Sequence, residues 1–158
     1  MRGMMTSVFC YIPYDEAIQM YFHMMQMNGG GLAAVRDKGR VESVLEFVQN
    51  DDYYPTFADK LAYLVYGICS GHYFADGNKR MALLLGGLFL NRNGYKAKAI
   101  VFMLFFETIV YYLASGKIDR DTFNRSIAHF VNKDFNDEDI KFGIVGDILT
   151  LLGMDLDE

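Results

Sequence analysis

Between residues 14 and 28 apolar side chains recur at helical spacing, at Ala17, Ile18, Tyr21, Met24 and Met25, until Asn28 and the glycines at 29–31 end the run. This predicts a first helix. The loop LAAVRDKGR leads into VESVLEFVQ, where Val41, Val44, Leu45 and Val48 form one apolar stripe, a second and shorter helix. DDYYPT, residues 51–56, then interrupts the pattern with acids and Pro55. Thr56 or the acids before it can cap a third helix, FADKLAYLVYGICS, which reads as mostly buried. NKRMALLLGGLFLNRN is apolar nearly all round and stops at Asn93 and Gly94, as a central helix of a helical core would. Two more helices are predicted, over 102–115, closed by Gly116, and over 120–131, opened by Asp119 or Asp121. NDEDIKFGIVGDILTLLG, with acids at its start, reads as a last amphipathic helix. With no strand-like alternation, internal repeat, low-complexity run or linker, the expectation is all-α: a single compact helical bundle over 1–158.

Composition agrees with that pattern. The 158 residues are 52% hydrophobic and 22% charged, enough apolar mass for one real core. The net charge of -5 offers no general attraction to nucleic acid, so direct nucleic-acid binding is not expected. The greasiest windows, MALLLGGLFL and AIVFMLFF, fall short of the roughly 20 residues that span a bilayer, and MRGMMTSVFCYIPYDE makes a poor signal peptide. A cytoplasmic protein without membrane contact is expected. Cys10 and Cys69 are far apart and lack CxxC spacing, so both read as reduced packing residues rather than a disulfide or zinc framework.

One stretch does not fit a packing role. GHYFADGNKRMAL, residues 71–83, crowds His72, Asp76, Asn78, Lys79 and Arg80 against the start of the central helix. Exposed backbone N–H groups at a helix N-terminus, with Gly77 removing bulk, are a natural seat for phosphate. Lys79 and Arg80 stand in the first turn, where cations oppose the helix dipole unless an anion is present. Asp76 is an oxygen ligand suited to Mg2+, which commonly binds one or two carboxylates together with substrate phosphates. His72, of a residue type whose ordinary pKa is about 6.5, suits removal of a proton from an attacking hydroxyl. Phe74 is expected to point inward and pin the loop. Each has a plainer explanation alone: a structural histidine, a helix cap, a solvated helix end. All in one turn, they fit Mg2+-assisted transfer from a nucleoside triphosphate to a hydroxyl.

HYFADGNKR resembles the HxFxDxNKR signature of the Fic/Doc (Fido) family, and specifically its Doc, or death-on-curing, type. GGLAAVRDKGRVESVL at 30–45, FLNRNGY at 89–95 and SGKID at 115–119 resemble further segments of Doc-like chains. The resemblance runs from about residue 14 to about 131, leaving 132–158 as an unmatched extension. It implies a helical bundle, with a small flap at DDYYPT that aligns a target peptide, although Tyr53 and Tyr54 are as readily explained by packing. His72 would be the general base and Asp76 the Mg2+ ligand. Gly77, Asn78, Lys79 and Arg80 would hold the phosphates of ATP or another nucleoside triphosphate.

Fic members with GNGRxxR transfer a nucleotide monophosphate, usually AMP. Here Lys79 takes the place of the second glycine and Leu83 that of the last arginine. Doc-type members share both features and transfer the terminal phosphate, with translation elongation factor Tu the known kind of target. Protein phosphotransfer is therefore expected ahead of AMP transfer (AMPylation), with a non-catalytic nucleotide or partner binder as a third reading. Tyr73 and Met81 depart from the Pro and Thr common in the family. The inhibitory pattern [ST]xxxE[GN] finds no match, so restraint is expected from an antitoxin acting in trans, or from the acidic residues after 132. His23 is assigned no role, and His129 reads as a packing histidine.

Overall fold

A computed structural model describes residues 9–29 and 31–133. Among these, seven helices and a single isolated antiparallel bridge, Val35 with Phe74, make an all-α protein. The helix expected within 136–153 and the outer limits of a 1–158 domain lie outside the described residues.

Helix α1 is Tyr14–Met27, α2 is Lys38–Phe47, α3 is Phe57–Gly71 and α4 is Asn78–Arg92. Capping explains most of these limits. Asp37 accepts a hydrogen bond from the Arg40 amide and starts α2 three residues ahead of its first apolar position. Thr56 opens α3 with a capping box: its side chain accepts from the Asp59 amide, and Asp59 accepts from the Thr56 amide. Asp119 caps α7, Arg120–Asn132, and the Thr122 hydrogen bonds hold its carboxyl below its ordinary pKa.

The helix expected over 102–115 is two helices, α5 (Lys96–Phe105) and α6 (Glu107–Ala114), bent by 56° at Phe106. Phe106 is buried and packs on Phe102 and Phe130, each at 4.8 Å between ring centroids, so the chain turns where a phenyl ring enters the core. The first turn of α5 hides in the sequence because Lys96 and Ala97 face solvent. Among the described residues no single helix is long and apolar enough to cross a membrane; the bent pair α5–α6 passes by length and composition.

Helix α4 runs through the middle of one continuous core, against α3 on one side and α5 on the other. Its glycines allow that closeness: a Cβ at Gly86 would stand 2.6 Å from the Phe102 ring and 2.8 Å from Val65. At its far end Arg92 forms a two-pronged ion pair with Glu16 of α1.

Two expectations are corrected. Cys69 is buried as expected, but Cys10 is exposed, because its backbone pairs with the Asn93 side chain at the rim of the fold. DDYYPT is a tied-down turn rather than an extended flap: Asn50 Oδ1 accepts from the Asp52 and Tyr53 amides, and the Tyr54 amide donates to the Asn50 carbonyl. Lys60, fully buried in α3, secures that turn, donating to the Val48 carbonyl at 3.0 Å and pairing with Asp51 at 2.7 Å. Its position in an apolar helix gave no hint of this role.

Candidate active site

The loop between α3 and α4 is built by local backbone chemistry. His72 closes α3 in the left-handed conformation, φ 53°, the one non-glycine residue with positive φ among the described residues. That reverses the chain into Tyr73–Ala75, which pairs with the segment after α1: the Arg36 and Asp37 amides donate to the Tyr73 carbonyl, and the Ala75 amide to the Ala34 carbonyl at 2.8 Å. Phe74 is fully buried, as expected, with its ring 4.3 Å from that of Tyr21.

Asn78 clamps the same loop. Its Oδ1 accepts from the Phe74 amide at 3.1 Å and its Nδ2 donates to the Phe74 carbonyl at 3.0 Å. Both ends of the amide are thereby engaged in shaping the loop. Gly77 follows with φ 82°, immediately before α4.

The charged groups converge on this frame. Asp76 Oδ1 accepts from the Gly77 amide at 2.7 Å, and its Oδ2 lies 3.6 Å from an Arg80 nitrogen. The Asp76 carbonyl accepts from the Tyr21 hydroxyl at 2.7 Å. Lys79 is exposed, its ammonium 5.9 Å from the centre of the Tyr111 ring. His72, Asp76, Gly77, Asn78, Lys79 and Arg80 all line one cavity of about 320 Å³, with Cys69 and Ala114 completing the wall. Burial pushes the Cys69 thiol up to about 11, opposed by nearby Lys79. Every candidate site residue therefore meets in one place. His23, left without a role, is exposed on α1.

A second cavity of about 560 Å³ adjoins the first and shares Lys79 and Arg80. Leu83, Glu107, Thr108, Tyr111, Tyr112 and Lys117 form its other walls. Glu107, Thr108, Tyr111 and Tyr112, all of α6, escaped sequence reasoning because nothing in their spacing links them to the loop. Gly31 did too, although it stood in a glycine run: with φ 99° it lies hard against the Asp76 carboxylate.

For magnesium the donor set is one carboxylate, Asp76, and among the described residues no three or more His, Cys, Asp or Glu side chains are grouped so that they could hold a metal ion. A lone carboxylate beside a phosphate seat fits an ion that keeps waters and takes its remaining ligands from substrate phosphates.

Comparison with known proteins agrees with this architecture. Residues 11–90 match the Fic/DOC family. A protein kinase doc of Escherichia phage P1 is 42% identical over 69 residues, covering 41% of this chain and 54% of the phage protein. A toxin Doc of Mycolicibacterium smegmatis is 30% identical over 105 residues, covering 64% of this chain and 81% of that protein. The chain belongs to the Fic/Doc family, and its relatives are of the Doc type.

Proposed function

We propose that this protein is a Doc-type phosphotransferase, moving the terminal phosphate of a nucleoside triphosphate such as ATP to a serine, threonine or tyrosine hydroxyl of a target protein. The observation that carries the reading is the meeting of His72, Asp76, Lys79 and Arg80 around one cavity at the start of α4. An imidazole nitrogen of His72 takes the hydroxyl proton as the hydroxyl oxygen bonds to the terminal phosphorus, and the nucleoside diphosphate leaves. Lys79, Arg80 and the free backbone N–H groups at the α4 N-terminus offset charge on the phosphate oxygens, where phosphoryl transfer gains most. Asp76 would hold Mg2+, which when bound neutralises phosphate charge. Asn78 acts on the phosphates mainly by holding the loop that carries the other groups.

The names of the two relatives, one a protein kinase and one a toxin, support a phosphorylating toxin; the resemblance to Doc-type chains makes the translation machinery the proposed target, with elongation factor Tu the first to try. Such a target requires action in the cytoplasm, and a toxin calls for an antitoxin partner. AMP transfer is the second reading. Against it, Leu83, buried at the wall of the larger cavity, supplies no cation at the position where AMP-transferring members carry arginine.

ATP labelled separately at the alpha and gamma phosphates, incubated with Mg2+, the protein and a cell lysate, separates the readings. Gamma label on a lysate protein, lost with His72→Ala, supports phosphotransfer. Alpha label overturns it in favour of AMPylation. No transfer of either label, with ATP bound, leaves a non-catalytic nucleotide binder.

A further inference from the structure

The turn between α2 and α3 gathers aromatic rings at the surface. Phe47, at the end of α2, has its ring centre 5.1 Å from that of Tyr53, 5.7 Å from Tyr54 and 5.9 Å from Tyr63, and Tyr54 stacks on Tyr63 at 4.2 Å. Packing accounts for Tyr54, but Tyr53 is 68% exposed and Phe47 39%. Beside them runs a groove of about 580 Å³ walled by Glu46, Phe47, Asn50 and Tyr63. None of these residues lines either cavity of the candidate active site.

The charge of this face has one sign. Residues 41–59 hold Glu42, Glu46, Asp51, Asp52 and Asp59 and no lysine or arginine. Glu42 pairs with Lys38, Asp51 pairs with Lys60, and Asp59 serves the α3 capping box. Glu46 and Asp52 are exposed and enter no ion pair among the described residues. Aromatic faces attract cations, and carboxylates at their rim add to that attraction while repelling nucleic acid and anionic membranes. The fold makes one such stack itself: the Arg120 guanidinium lies 4.4 Å from the centre of the Tyr66 ring, next to Tyr63 in the α3 helix. Arginine suits these rings better than lysine, because its planar, weakly hydrated head lies flat on them.

We propose that this face docks an arginine-bearing segment of a partner protein, its guanidinium groups stacked on Tyr53 and Phe47 and paired with Glu46 and Asp52. The backbone of the turn is engaged in its own hydrogen bonds, so side chains rather than strand addition do the recognising. The proposal does not depend on the phosphotransfer reading.

The test titrates the full chain against a fluorescent hexa-arginine peptide, followed by anisotropy, beside a hexalysine peptide of equal charge. Saturable binding is expected, tighter for hexa-arginine by about tenfold. Tyr53→Ala, at the most exposed of the rings, is expected to weaken it about tenfold while leaving the thermal melt in place. Glu46→Gln is expected to weaken it about threefold, and Asp15→Asn, which removes an exposed carboxylate of α1, by less. Absence of saturable binding overturns the proposal. Equal affinity for the two peptides, or equal losses from Glu46→Gln and Asp15→Asn, means attraction to net charge alone and overturns it too. So does affinity that survives Tyr53→Ala, or a dimer in sedimentation that Tyr53→Ala dissociates, which assigns the face to a second copy.

Discussion

Gly31 stands against Asp76 so closely that a Cβ at position 31 would lie 2.0 Å from Asp76 Oδ2 and 3.1 Å from its Cγ. The glycine after α1 therefore sets where the carboxylate of the motif can be. Gly31→Ala carries two penalties, a left-handed backbone costing about 1–2 kcal/mol and a displaced Asp76. Gly94→Ala carries the first without the second, since φ is 87° there and nothing lies within 4 Å of the new Cβ. Both variants are expected to lower the melting temperature. Only Gly31→Ala is expected to cut the transfer of labelled phosphate, by tenfold or more on the order of 1.4 kcal/mol, and equal activity in the two would dissociate the contact from catalysis.

Asn78→Ala removes both hydrogen bonds to Phe74 and leaves that residue's backbone groups short of partners. A loss of about 1–3 kcal/mol is expected in denaturant unfolding. Tyr21→Phe deletes only the hydroxyl bond to the Asp76 carbonyl and is expected to cost about 1 kcal/mol.

Lys60→Met tests the buried anchor of the 50–54 turn. The Val48 carbonyl loses its partner from the lysine inside the fold, at a cost of about 1–3 kcal/mol. Asp51→Ala leaves the fully buried Lys60 ammonium without its carboxylate and is expected to cost as much or more, about 3 kcal/mol, whereas Lys60→Met leaves behind only a half-exposed carboxylate. Chemical denaturation of the two variants side by side makes the comparison.

Cys69 predicts an alkaline limb in stability. Its folded pKa of about 11 lies above its ordinary value of 9.0, so below pH 9 the neutral thiol is present in both folded and unfolded chains. As pH rises from about 9 towards 11 the unfolded chain ionises first, and stability falls across that window. Cys69→Ala is expected to flatten this part of the profile, measured by thermal melts at closely spaced pH values.

The sequence announced the site more fully than the scaffold around it. The residues of 72–80 are contiguous, and a polar cluster at the head of an apolar helix is visible in one dimension. Thr56 and Asp119 could be read as caps because capping is local. Lys60 could not be read, since its partners, Val48 and Asp51, come near only once the α2–α3 connection folds back. The break at Phe106 was hidden for a similar reason: the apolar periodicity runs through it, and only the packing on Phe130 bends the chain there. Gly31 and the α6 wall of the larger cavity likewise depend on long-range approach.

The left-handed backbone of His72 sets conformational comfort against chemistry. Glycine is the residue that this φ favours, so His72→Gly should relieve strain of about 1 kcal/mol while deleting the only imidazole in the cavity. Selection for robustness alone would discard the histidine. With His72 as the base of the proposed transfer, the chain accepts a less durable fold in exchange for reactivity, and screens for heat-resistant variants are expected to drift toward inactive ones at this position.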